Sequence, residues 1–100
     1  MRMLMKVSIP VESGNKGVKD GLFPKTVQAF VDQVKPESCY FAAEKGQRTG
    51  YFVFDLKDPT LIPSVAEPFF MGFNASIEIT PAMSLDEMKT GVDKAMKQRA

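Results

Sequence analysis

The chain has 100 residues, with 13 basic side chains, 12 acidic ones and no histidine. This length fits one domain, and the balanced charge provides no long-range field to attract a nucleic acid or a membrane surface. A single cysteine, Cys39, excludes an internal disulfide, and without histidine the most common general base and metal ligand is missing. We therefore expect one soluble cytoplasmic domain over residues 1–100, with no metal, no cofactor, and neither a nucleic acid nor a membrane as a partner.

The first third of the chain predicts a strand, a long connection and a helix. Apolar residues alternate from Met3 to Ile9, which is the period of a strand with one apolar face. Residues 10–22 are rich in glycine and polar side chains and predict a loop. Pro24 suits the first turn of a helix that ends near Pro36. The apolar stripe of this helix has helical spacing and consists of Val27, Phe30, Val31 and Val34.

Two further strands are predicted as a β-hairpin. Residues 39–44 and 49–56 are both rich in aromatic and β-branched side chains, and a polar turn separates them. A pairing that places Glu44 opposite Thr49 keeps the two faces of the hairpin distinct.

The last part of the chain predicts a short helix, a strand and a final helix. Asp58 is a suitable N-cap, and Pro68 is expected to end the short helix, so that the apolar residues after it form a loop. Residues 75–80 alternate as a strand, and Ser84 and Glu87 match the S-x-x-E capping box. The side chains of the final helix expected to face the core are Leu85, Met88, Val92 and Ala95.

This βαββαβ order predicts an α+β ferredoxin-like domain with a four-stranded antiparallel sheet and an extra C-terminal helix. The more apolar side of each strand should face the helices: Met5, Val7, Ile9, Phe41, Phe52, Phe54, Leu56, Ile77 and Ile79. The other face mixes apolar and polar groups, so we expect a second copy of the chain to cover it and enclose a cavity between two sheets. This face should carry Leu4, Lys6, Ser8, Tyr40, Ala42, Glu44, Tyr51, Val53, Asp55, Ser76, Glu78 and Thr80.

The element order, together with the segments Gly50–Asp55 and Glu67–Gly72, resembles the dimeric α+β barrel superfamily, and most of all its small uncharacterised bacterial members. In that superfamily two ferredoxin-like subunits pack sheet to sheet, so the resemblance implies a homodimer. Some members are cofactor-independent monooxygenases or isomerases, which makes such an enzyme an alternative function. The antibiotic-biosynthesis monooxygenases rely on residues such as Trp, Asn and His, and this chain has neither Trp nor His.

Polar side chains of the second face form the candidate ligand-binding site: Lys6, Ser8, Tyr40, Tyr51 and Glu78. Lys6 and Glu78 lie on neighbouring antiparallel strands, where they could hold a polar ligand with Glu78 as the proton acceptor. A cross-strand ion pair that fixes register or dimer pairing is the alternative. The two tyrosines suit either a small-molecule pocket or a subunit interface. The predicted function is therefore binding of a small organic molecule, and a purely structural or regulatory dimer is the other possibility.

Three other features carry weaker functional hypotheses. Cys39 falls on the helix side, where a cysteine is usually an inert apolar group. The segment Ser13–Gly17 lacks the spacing of a phosphate-binding loop and predicts a linker or a lid. The segment Arg48–Phe54 resembles the aromatic motif of RNA-binding domains, but Tyr51 is followed on its face by Val53 where that motif needs another aromatic ring.

Overall fold

The computed structural model of the chain describes residues 1–99. Four strands form one antiparallel sheet in the order β2-β3-β1-β4, which confirms the predicted α+β ferredoxin-like architecture and its extra C-terminal helix. One turn of 3-10 helix, Pro59–Leu61, leads into the third helix. The elements in chain order are β1 (Arg2–Ile9), α1 (Val11–Lys19), α2 (Leu22–Val34), β2 (Ser38–Glu44), β3 (Gln47–Asp55), α3 (Ile62–Phe73), β4 (Ser76–Pro81) and α4 (Leu85–Arg99).

The core lies between the sheet and the helices α2 and α3. Alternate residues of β1 and β3 are buried there, including Met5 and Phe52, as the strand periodicity predicts. The ring of Phe30 in α2 lies at the centre of this core. Its centroid is 4.8, 5.7 and 5.6 Å from the rings of Phe52, Phe54 and Phe69, all in edge-on arrangements that favour aromatic pairs.

The loop predicted for residues 10–22 is wrong, because most of this segment is helix α1. Its two buried glycines allow the helix to approach the rest of the domain closely. A Cβ atom at Gly14 would lie 2.7 Å from the guanidinium of Arg48, and one at Gly17 would overlap the ring of Phe73. The low helix propensity of glycine favoured a loop in the sequence, but close packing decides the structure here.

The predicted end of the third helix at Pro68 is also wrong. Helix α3 continues through this proline, so most of the loop predicted for residues 69–74 is helical, and it ends at Asn74 in the left-handed conformation (φ 54°). An internal proline costs a helix about 3 kcal/mol. Burial of the aromatic rings of Phe69 and Phe73 in the following turns offsets this cost.

The β2–β3 hairpin has a shorter turn than the sequence suggests. Lys45 and Gly46 alone form it, with φ angles of 53° and 75°, which is the pattern of a type I′ turn. Glu44 therefore pairs with Gln47 and not with Thr49. Because the register differs by two residues, an even number, every side chain keeps its predicted face.

Helix α4 begins at the predicted capping box. The backbone N–H of Glu87 donates to Oγ of Ser84 (3.2 Å), and the N–H of Ser84 donates to Oε1 of Glu87 (2.7 Å). The helix then leads away from the sheet, giving the molecule extents of 58 × 28 × 19 Å. No residue between 85 and 99 is buried, so the predicted inward face is wrong: Leu85, Met88, Val92 and Ala95 are all exposed. Helices α2 and α3 already occupy the helix face of the sheet.

Within residues 1–99, no helix combines the length and the hydrophobicity required to cross a bilayer.

Candidate functional site

The face of the sheet that points away from α1, α2 and α3 is called the open face below. No helix covers it, and it presents apolar as well as polar groups. The side chain of Tyr40 is 73% exposed and that of Leu4 is 39% exposed. Half-buried Val53 lies opposite Leu4 on the neighbouring strand. An apolar patch of this kind next to charged residues is a common mark of an interaction surface.

Four of the five predicted site residues lie in a single row across the open face. Tyr40 pairs with Tyr51, Tyr51 with Lys6, and Lys6 with Glu78. Since adjacent strands are about 4.8 Å apart, the row extends over about 14 Å. Ser8 lies two residues further along β1, on the same face. The structure thus brings the predicted residues together on one surface.

The partner of Lys6 is Glu44, which the sequence analysis placed on this face but not in the site. Nζ of Lys6 lies 2.5 Å from Oε2 of Glu44, and the hydroxyl of Tyr51 donates a hydrogen bond to Oε1 of the same carboxylate. Nζ of Lys6 is also 5.9 Å from the centroid of the Tyr51 ring, within cation–π range. The three side chains therefore form one connected network, and a Lys6–Glu78 ion pair does not form although the two residues are directly opposite.

This network fixes the protonation of its members. The hydrogen bond from Lys6, followed by that from Tyr51, lowers the pKa of Glu44 below its ordinary value. The hydrogen bond to Glu44 raises the pKa of Lys6, and it also raises the pKa of Tyr51, because the phenol proton is held by the carboxylate. At neutral pH Lys6 is therefore a cation and Tyr51 a neutral donor, and neither can act as a base.

Glu78 and Tyr40, at the two ends of the row, are free to contact a ligand. Within residues 1–99 neither side chain forms a hydrogen bond or a salt bridge with another residue. A carboxylate can accept a hydrogen bond or a proton, and a phenol can donate or accept one. The row therefore offers an acceptor, Glu78, at one end and a hydroxyl that can donate or accept, Tyr40, at the other.

Cys39 lies on the helix side of β2 and packs against the core. Burial raises the pKa of its thiol, which opposes formation of the reactive thiolate. Its environment agrees with the prediction of a small apolar residue.

Residues 1–96 match the model of a family described as a domain of unknown function, DUF3303. The chain belongs to this family. The match includes all four strands, helices α1 to α3 and most of α4, so the open face lies entirely within the family domain. Comparison with curated proteins found no match.

Proposed function

We propose that the chain is the subunit of a homodimeric α+β barrel in which two open faces pack together and enclose a binding site for a small organic molecule. The observation that carries this proposal is the row of Tyr40, Tyr51, Lys6 and Glu78 on a face with uncovered apolar groups. We also propose a cytoplasmic location, on the basis of the single unpaired cysteine.

The uncovered apolar surface supports association with a second copy. A domain of about 100 residues buries a modest share of its unfolded surface, so additional burial in a dimer contributes usefully to its stability. On the open face Leu4 and Val53 flank the polar row, and the ring of Tyr40 projects from the edge strand. An isologous interface would cover both copies of this patch at once.

Helix α4 supports the same conclusion. An isolated helix of 12 to 15 residues is only marginally stable in water, yet none of the 15 residues of α4 is buried in the single chain. Its first turn carries Asp86 and Glu87, whereas Lys97 and Arg99 lie in its last turn. An antiparallel pair of α4 helices would place these opposite charges together. It would also cover the exposed apolar side chains of Leu85, Met88, Val92 and Met96.

The chemistry of the ligand follows from the charge that dimerisation would enclose. Lys6 is compensated by Glu44, which leaves the carboxylate of Glu78 as the uncompensated charge of the row. Burial of an unpaired carboxylate is costly unless a donor satisfies it. A small molecule that donates a hydrogen bond to Glu78 from a hydroxyl or amino group, and meets the hydroxyl of Tyr40, would fill this requirement.

A structural or regulatory dimer without a ligand is the second candidate function. The observation that favours it is the network of Lys6, Glu44 and Tyr51, whose charges and hydrogen bonds are satisfied within one chain. In this case the same residues serve to specify how the two subunits pair.

Native mass spectrometry of protein purified from its host tests the proposal. We expect the dimer to carry an additional small mass in the wild type. A Lys6→Met, Glu78→Gln double variant should lose that mass and remain dimeric. A Lys16→Met, Glu12→Gln double variant of the exposed residues of α1 is the matched control and should retain it.

The alternative outcomes separate the two candidates. A dimer without a bound mass, whose thermal stability does not change with any member of a metabolite library, would support the structural dimer. A monomer in all samples would contradict both.

A further inference from the structure

A cavity lies on the helix side of the sheet, on the opposite side from the open face. Its volume is about 380 Å³, and it lies between α2 and the part of the sheet nearest the β2–β3 turn. Two of the sheet residues that line it, Gly50 and Ala43, have little or no side chain. Gly50 stands between Phe41 and Val7 in one row, and Ala43 lies opposite Arg48 in the next.

The size and walls of this cavity fit a small organic ligand. Sites for small molecules have volumes of about 300 to 1,000 Å³, whereas packing voids in protein interiors rarely exceed a water molecule. Phe23 and Val27 of α2 and Phe52 of β3 supply apolar walls. The cavity is accessible from solvent past Phe41, which is 55% exposed, and past the exposed Ala43.

Arg48 is the one charged residue among those that line the cavity. It is half-buried beneath Gly14 of α1, where the missing Cβ leaves space for its guanidinium. None of the acidic groups in residues 1–99 forms a salt bridge with it. A partly desolvated guanidinium at the end of an apolar cavity favours a planar anion that accepts two parallel hydrogen bonds.

We propose that this cavity binds a small monocarboxylic acid, with its carboxylate on Arg48 and its apolar body between Phe23, Val27 and Phe41. A single guanidinium matches one negative charge, and no second cation lines the cavity to compensate a phosphate dianion. The site is complete within one chain and does not depend on the homodimer or on the row of the open face.

A matched pair of probes tests the role of the carboxylate: 3-phenylpropanoate and 3-phenylpropan-1-ol, titrated into the protein by NMR. We expect the acid to bind at least tenfold more tightly than the alcohol, because only the acid forms charge-assisted hydrogen bonds. Arg48→Gln should weaken binding of the acid about ten- to a hundredfold and leave binding of the alcohol unchanged. Arg99→Gln, on the exposed end of α4, is the matched control and should have no effect.

A second variant tests the location of the site. Ala43 is exposed at the cavity entrance, so Ala43→Trp should preserve the fold, as judged by circular dichroism, and abolish binding of both probes by filling the cavity. Equal affinity for acid and alcohol, or an Arg48→Gln variant that binds the acid as well as the wild type, would overturn the proposal. Undiminished binding by Ala43→Trp, or no binding of either probe by the wild type, would overturn it as well. A Tyr40→Lys variant of the open face should still bind the acid, which distinguishes this site from the proposed one between the sheets.

Discussion

Small residues determine how closely the layers of this domain approach one another. Gly14 and Gly17 are spaced three residues apart, so they lie on the same side of α1 and face the domain interior. Next to Gly14, the hydroxyl of Ser13 donates to the carbonyl of Phe73 (2.5 Å), which satisfies a free carbonyl at the end of α3. The glycines thus serve close packing, and they do not form a flexible lid.

A Gly17→Ala substitution should therefore destabilise the protein by about 1 to 3 kcal/mol, because the new Cβ would overlap the ring of Phe73. Gly91→Ala is the matched control, since Gly91 is also within a helix but a Cβ there would meet no atom within 4 Å. Urea unfolding of both variants measures the difference. Equal free energies of unfolding for the two variants would show that α1 does not pack as described.

The pattern of residues in the sequence predicts part of the candidate site. Alternation along each strand correctly placed Lys6, Tyr51 and Glu78 on one face, because side chains alternate strictly in a strand. The contact of Lys6 on β1 with Glu44 on β2 depends on the length of the lysine side chain, which reaches across the intervening strand β3. The hairpin register depended on Lys45, which adopts a positive φ that few residues other than glycine or asparagine adopt. Neither feature is visible in the periodicity.

At the level of elements, α4 is attached to the domain mainly through its first turn. Glu87 caps the helix through Ser84 and also accepts a hydrogen bond from Arg2 of β1, which in turn contacts Glu37 (3.1 Å). The backbone N–H of Ser84, followed by Arg2, lowers the pKa of Glu87 from 4.5 to about 2. The ionised carboxylate is therefore the form that stabilises the start of α4.

This shift predicts how α4 responds to acid. Because the pKa of Glu87 is lower in the folded protein, its contribution is complete above about pH 4.5 and is lost as the pH falls towards 2. As the pH falls from about 4.5 towards 2, hydrogen exchange of the α4 amides should become faster relative to the intrinsic exchange rate at each pH. The Glu87→Gln variant should exchange faster already at pH 7 and lose most of the pH dependence. The Asp86→Asn variant, altered outside the capping box, should keep the pH dependence of the wild type. An unchanged pH profile in Glu87→Gln would contradict this account of the cap.

The elements themselves were predictable where local pattern and tertiary packing agree. Strands β1 and β4 follow from alternation, β2 and β3 follow from their aromatic and β-branched side chains, and α2 follows from its apolar stripe. Helix α1 and the second half of α3 were missed because glycine and Pro68 are unfavourable in helices, and only contacts with distant residues compensate them. The cavity at Arg48 was missed for a related reason, since residues of α2, α3, β1, β2 and β3 line it and only the folded chain brings them together.

For the molecule as a whole, the open face and the apolar side chains of α4 are both exposed within residues 1–99. In the proposed dimer a second copy of the chain covers both surfaces, and the row of polar residues lies between two sheets. Because the side chain of Tyr40 is 73% exposed on the open face, a charge at this position should oppose pairing.

Sedimentation equilibrium over a range of protein concentrations tests this dimer most directly. We expect the wild type to have twice the 11.1 kDa mass of one chain. Tyr40→Lys should shift the mass towards that of a monomer, and the matched control Met71→Lys, at a position of α3 that is 82% exposed, should leave the dimer intact. A wild-type mass of 11.1 kDa at every concentration would contradict the central claim.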